Sequence, residues 1–148
     1  MKQFETIDIS GDAGIRAFGR DLSEVFENAA TGMYSLIANL SLVEKKREIG
    51  ISAEGPSLEG LFISWLNELI FQFDAYGFIA KRVVISELQL QTDDSGSRAP
   101  FTLKATLSGE DFDPERHEGN LLIKAATYHK LRIERTGDMW EADVIFDI

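Results

Sequence analysis

A chain of 148 residues with 44% hydrophobic side chains, ten Phe and no long polar tract has the size and apolar content of one globular domain that folds without staples. It carries no cysteine, which excludes a disulfide framework, a thiolate metal site, an iron–sulfur cluster and a cysteine nucleophile. A net charge of −10 and an isoelectric point near 4.6 repel a phosphate backbone, so direct binding of RNA or DNA is not expected.

The first eight residues hold no apolar run of signal-peptide length, and no stretch approaches the ~20 apolar residues of a membrane span, so the chain is expected to be cytoplasmic. Gln3 to Asp8 has extended character. Ser10-Gly11-Asp12-Ala13-Gly14 is a loop dense in turn formers, and alternation resumes at Ile15 to Gly19. Asp21 then sits at an N-cap position with Glu24 in capping-box spacing, ahead of apolar residues in helical rhythm from Leu22 to Leu40. Gly32 inside that helix costs roughly 1 kcal/mol against Ala, so it is expected to mark close packing against another element.

The charged link Glu44–Glu48 leads into a short strand, Ile49 to Ala53, ended by Gly55-Pro56. Ser57 caps the most regular helix of the chain, in which Leu58, Leu61, Phe62, Trp65, Leu66, Leu69, Ile70 and Phe73 keep the spacing of one helix face, and Gly77 closes it. Beyond Phe78 the period changes to two. Strands are expected within Ile79–Leu90 and Phe101–Leu107, with a turn at Asp93-Asp94-Ser95-Gly96, a polar loop at Gly109–Asn120, and a closing hairpin from Leu121 that turns at Thr136-Gly137-Asp138. The order of elements predicts an α+β fold with two amphipathic helices packed on a mostly antiparallel β-sheet.

The common enzyme motifs are absent: no phosphate loop, no dinucleotide fingerprint, no H-E-x-x-H, and no Ser at a strand-to-helix elbow to join His117 or His129. Carboxylates are the more suggestive groups. Asp8 and Asp12 flank the first loop, Asp111 and Asp113 lie in the long one, and Asp147 stands beside the α-carboxylate of Ile148. Hard cations such as Ca²⁺ and Mg²⁺ take several oxygen ligands, two or three of them anionic. Turn and cap chemistry explains a single loop Asp equally well. His129 follows Tyr128 on an expected strand, so the two should point to opposite faces, with Lys124 on the Tyr128 face if no bulge intervenes.

Four separated stretches, taken together, resemble the archease family. F-E-T-I-D-I-S-G-D-A-G-I (Phe4 to Ile15) is similar to its (Y/F)-E-x-x-D-H-T-A-D-x-G-I opening, and Gly109 to His117 resembles its G-E-x-x-D-x-x-x-H loop. K-A-A-T-Y-H-K-L (Lys124 to Leu131) resembles its K-A-V-T-Y-H-x-L strand, and W-E-A-D-V-I-F-D-I its W-x-A-x-V-I-x-D-I ending. Ile9 stands where the family usually has His; Gly11 for Ala and Ala126 for Val are milder departures.

The resemblance implies a non-catalytic activator of the GTP-dependent RNA ligase of tRNA splicing and RNA repair, one that promotes guanylylation and repeated turnover. It implies a divalent metal ion, calcium or magnesium, held by Asp12, Asp147 and the terminal carboxylate of Ile148, with Asp8 as a weaker ligand. The matched loop and strand make Glu110, Asp113, His117, Lys124 and His129 the candidate partner-binding residues. An acidic activator meeting a basic ligase would gain encounter rate from complementary charge without touching RNA itself. Two rival expectations are a general chaperone or adaptor, and a metal-dependent hydrolase using the same carboxylates; for the second, no general base, nucleophile or substrate cradle is readable.

Overall fold

The computed structural model describes residues 2–90 and 100–148, so the turn expected at Asp93–Gly96 lies outside the described residues. The first hairpin is tighter than the sequence implies. Strand β1 (Phe4–Ile9) and strand β2 (Asp12–Gly19) are joined through Ser10-Gly11 alone, with Gly11 at φ +83°, a conformation that needs no Cβ. Asp12 is therefore the first residue of a strand.

Helix α1 (Leu22–Ile37) starts where its cap predicts, the Asp21 carboxylate accepting from the Glu24 amide at 2.8 Å. It ends before the predicted Leu40. Ala38 is extended, and Asn39 accepts from the Ser41 amide at 3.1 Å to open a single 3-10 turn at Leu40–Leu42. Gly32 does mark a close approach: a Cβ there would lie 2.9 Å from Ile15 Cγ2 and 3.1 Å from Phe4 Cγ, so α1 rests directly on the first hairpin.

Strand β3 (Arg47–Gly55) is longer than the alternation shows, and helix α2 (Leu58–Tyr76) has the predicted caps, Ser57 accepting from the Gly60 amide at 3.0 Å and Gly77 left-handed at φ +67°. Strands β4 (Phe78–Gln89), β5 (Phe101–Asp111), β6 (Ala125–Thr136) and β7 (Met139–Asp147) complete the described chain. Every strand pairing among the described residues is antiparallel, yet the strands form two sheets and not one: β1-β2-β7-β6 and β3-β5-β4. Each helix packs on both, α1 on β2 and β4, α2 on β3 and β6.

Between these layers lie Ile15, Phe26, Met33, Phe62, Trp65, Leu66, Leu107, Val144 and Phe146, all buried. Burying each large apolar side chain contributes roughly 1.5–3 kcal/mol, which is what fixes the helices against the sheets. The Trp65 indole donates to the Phe26 carbonyl at 3.0 Å, and the Phe26 and Phe62 rings meet edge to face at 4.9 Å. Among the described residues no helix is long and apolar enough to cross a membrane.

Candidate functional site

The four-stranded sheet brings the chain's two acidic ends together. Ala13 pairs with Phe146 across β2 and β7, so one step further along both strands Asp12 stands beside Asp147. Ala13, Ile15 and Ala17 share the core face with Phe146, Val144 and Ala142; by alternation Asp12 and Asp147 share the outer face with Arg16 and Asp143. Asp8 pairs with Ala13 across β1 and β2, which places it on the other face, and it is exposed. The sheet thus groups Asp12 with Asp147 and separates Asp8 from both. Ile9, at the position where a His is usual in the matched motif, pairs directly with Asp12. Ile148 follows Asp147 and is partly exposed. Among the described residues no three His, Asp or Glu side chains gather closely enough to hold a metal ion.

Asp147 is held from its other side too. It pairs with Ala125, and its carbonyl accepts from the Lys124 amide at 2.8 Å. Lys124 precedes β6 and does not belong to it, because the strand expected from Leu121 begins only at Ala125. Its side chain lines a shallow groove of about 490 Å³ with Asn67, Ile70, Phe71, Asp74 and Ala75 of α2. His129 and Tyr128 are both exposed, contrary to simple alternation. The β6–β7 ladder breaks between Thr127 and Arg132, where the four residues Tyr128–Leu131 of β6 pass Val144 alone on β7, and Lys130 sits at φ +53°. A bulge of that size cancels the strand parity that relates Lys124, Tyr128 and His129.

The predicted polar loop turns out shorter at its start, since β5 continues to Asp111 and the connection runs from Phe112 to Lys124. At its root Glu110 is 3% exposed and His117 fully buried, so neither offers its side chain to a partner. Glu110 is instead a hub. Arg116 grips its carboxylate with both guanidinium Nη atoms, the Glu44 amide donates to it at 2.6 Å, and Lys46 Nζ stands 3.5 Å away. The Arg116 hydrogen bond above all, against the cost of burial, holds the Glu110 carboxyl well below the usual carboxylate range.

His117 Nδ1 accepts from the Asp113 amide at 2.9 Å, which leaves the ring proton on Nε2. That atom lies 3.1 Å from Glu110 Oε2 but is too poorly aligned for a regular hydrogen bond. Asp113, exposed, accepts from the Glu115 and Arg116 amides at 3.0 and 3.3 Å; these bonds, Arg116's first, lower its carboxyl pKa. Arg116 was the partner that reading the motif missed, although it stands inside the matched G-E-x-x-D-x-x-x-H segment.

A second charged group stands further along the outer face. Asp143 accepts from Arg16 Nε at 2.8 Å and from Arg132 Nη2 at 3.1 Å, and Arg132 also reaches Glu141 at 2.9 Å. Burial pushes the Asp143 carboxyl up, but the two arginines outweigh it and hold it below its ordinary value. This network pins β2, β7 and β6 side by side, four residues along β2 from Asp12 and four along β7 from Asp147.

Comparison with known proteins agrees over the full length. The model of the Archease protein family (MTH1598/TM1083) matches residues 4–148. The protein archease of Pyrococcus furiosus is 37% identical over 149 residues, covering 100% of both chains, and that of Sulfurisphaera tokodaii is 33% identical over 148 residues, again covering 100% of both. The solution structure of Methanobacterium thermoautotrophicum protein 1598 superposes with a TM-score of 0.79 at 33% identity over 100% of both chains. A crystal structure from Thermotoga maritima, described as an archease and possible chaperone, has a TM-score of 0.56 at 18% identity, covering 97% of this chain and 96% of that one, and shares the fold. With its family model matched almost end to end, the chain belongs to the archease family.

Proposed function

We propose that this protein is a non-catalytic cofactor of the GTP-dependent RNA ligase of tRNA splicing and RNA repair, promoting the ligase's guanylylation and multiple turnover. The observation that carries the reading is the register of β2 against β7, which sets Asp12 beside Asp147 on one exposed sheet end. Their oxygens, with the Ile148 carboxylate next in the chain, are a hard, anionic donor set of the kind that suits calcium or magnesium. A cation there would neutralise clustered negative charge and stiffen the strand ends into a defined surface. Asp8, on the opposite face, is outside this ligand set.

The net charge of −10 supports a basic protein partner and disfavours direct contact with RNA. Lys124 and His129, both exposed, and Asp113 remain available to such a partner; Glu110 and His117 act from inside. The test is guanylylation of the cognate ligase under limiting GTP and metal, with and without this protein. Stimulation is expected, and none refutes the proposal. A chaperone reading draws on one observation, the exposure of Phe71, Tyr76, Leu122 and Tyr128. Suppressed aggregation of unrelated clients, with no effect on the ligase, would favour it instead.

A further inference from the structure

The connection from Phe112 to Lys124 is long and lacks regular structure, yet its backbone is tied at many points. The Phe112 amide donates to the Gly77 carbonyl at 2.7 Å, and the His117 carbonyl accepts from the Asn39 amide at 2.9 Å. The amides of Asn120 and Leu121 donate to the carbonyls of Ile37 and Leu36, at 2.8 and 3.1 Å. Those are last-turn carbonyls of α1 that the helix itself leaves without donors, so the connection serves as the helix's C-terminal cap. Ile123 then drops into the core, and one residue later the Lys124 amide reaches the Asp147 carbonyl.

What sets the path of this connection is the charged cluster at its root. Glu110 is fixed by its place in β5, opposite Ile79. It receives Arg116 and faces His117, which are consecutive residues in the middle of the connection, while the His117 ring stacks on Phe112 at 5.8 Å and Phe112 meets Phe73 of α2 at 4.9 Å. A buried carboxylate is costly unless paired, so the chain minimises its free energy only with Arg116 folded back over Glu110. That constraint turns the connection and delivers Asn120, Leu121 and Lys124 to their acceptors.

We propose that Glu110, Arg116 and His117 form a positioning latch whose target is the end of β7: by fixing the connection they seat the Lys124 amide on the Asp147 carbonyl and hold Asp147 beside Asp12. Its functional consequence rests on the metal-bearing end proposed above; its structural claim does not.

The experiment is hydrogen exchange on the full chain, residue by residue, for the parent and for Glu110→Gln, with Arg116→Gln as the second variant should the first not fold. The latch predicts that protection at Lys124, Asn120 and Leu121 falls about tenfold while core amides such as those of Leu66 and Leu107 keep the parent's protection. Calcium affinity, titrated with Ca²⁺ alone, should fall by about tenfold in parallel, the scale of lost support behind a metal ligand. Unchanged protection at Lys124 overturns the proposal, and so does an equal loss across the core, which marks a merely structural pair. If the parent binds neither Ca²⁺ nor Mg²⁺, the metal reading falls, and exchange at Lys124 still decides the latch.

Discussion

Arg16 and Asp143 face each other across β2 and β7, guanidinium Nε to carboxylate Oδ1 at 2.8 Å, on the same sheet face as Asp12 and Asp147. Asp143 answers a second arginine, Arg132 of β6, so one carboxylate joins three strands. Its side chain is 14% exposed against 38% and 27% for the two arginines, which places the network between a surface pair and a buried one. Asp143→Asn keeps the shape and removes the charge. Urea unfolding should show a loss of about 1.5–3 kcal/mol, the scale of hydrogen bonds to a charged group. No loss would mean that the network adds nothing to the strand alignment.

Acid should unfold the protein from the carboxylate side. Glu110, Asp113 and Asp143 all have pKa values lowered in the folded state. The stability they contribute is fully present above the unfolded carboxylate range and is lost as pH falls through that range toward the lower folded values. A thermal melting series should therefore be flat across the neutral region and fall steeply below about pH 4, near the unfolded carboxylate values. In Glu110→Gln the acid limb should be shallower.

Glu27 has the opposite sign. Burial, chiefly, pushes its carboxyl up, with Asp21 and Glu24 adding to the rise, while the bond from the Ile85 amide at 2.8 Å and the charge of Arg82 pull it down. A carboxyl that prefers its proton when folded costs stability as pH rises through its folded value. Glu27→Gln, whose amide oxygen still accepts from Ile85, should match or exceed the parent's stability at neutral pH. Glu27→Ala strands that amide on β4 and should cost about 1–3 kcal/mol. Equal behaviour of the two variants in denaturant would contradict this assignment.

Gly32→Ala sets helix propensity against packing. The substitution gains roughly 1 kcal/mol from propensity, but the new Cβ meets the Ile15 Cγ2 methyl, which is rooted on a strand and cannot swing away. Packing should win by about 1–2 kcal/mol, seen as a lower midpoint in denaturant. A stabilised variant would show that α1 shifts freely over the hairpin.

Local signals in the chain carried the helices well. Asp21, Ser57 and Gly77 cap as their spacing predicts, and Gly32 packs as a helix glycine should. The division into two sheets was not legible, because alternation assigns faces and says nothing of which strand lies beside which. The bulge at Tyr128–Leu131 was equally hidden: Lys130's positive φ has no sequence marker of the glycine kind. Among the site residues, Asp12 and Asp147 were legible only through the matched motifs, and the register then supplied the physical reason that they belong together. Glu110 and His117 stood out as contact residues through the matched loop motif, which carries no information on burial; Arg116 is what allows them to be buried.

The most direct measurement is guanylylation of the cognate ligase with the parent protein and with Asp147→Ala side by side, at limiting metal. Stimulation by the parent and its loss in the variant are expected, with the variant still folded by circular dichroism. Equal stimulation by both would contradict the placement of function at the Asp12–Asp147 end.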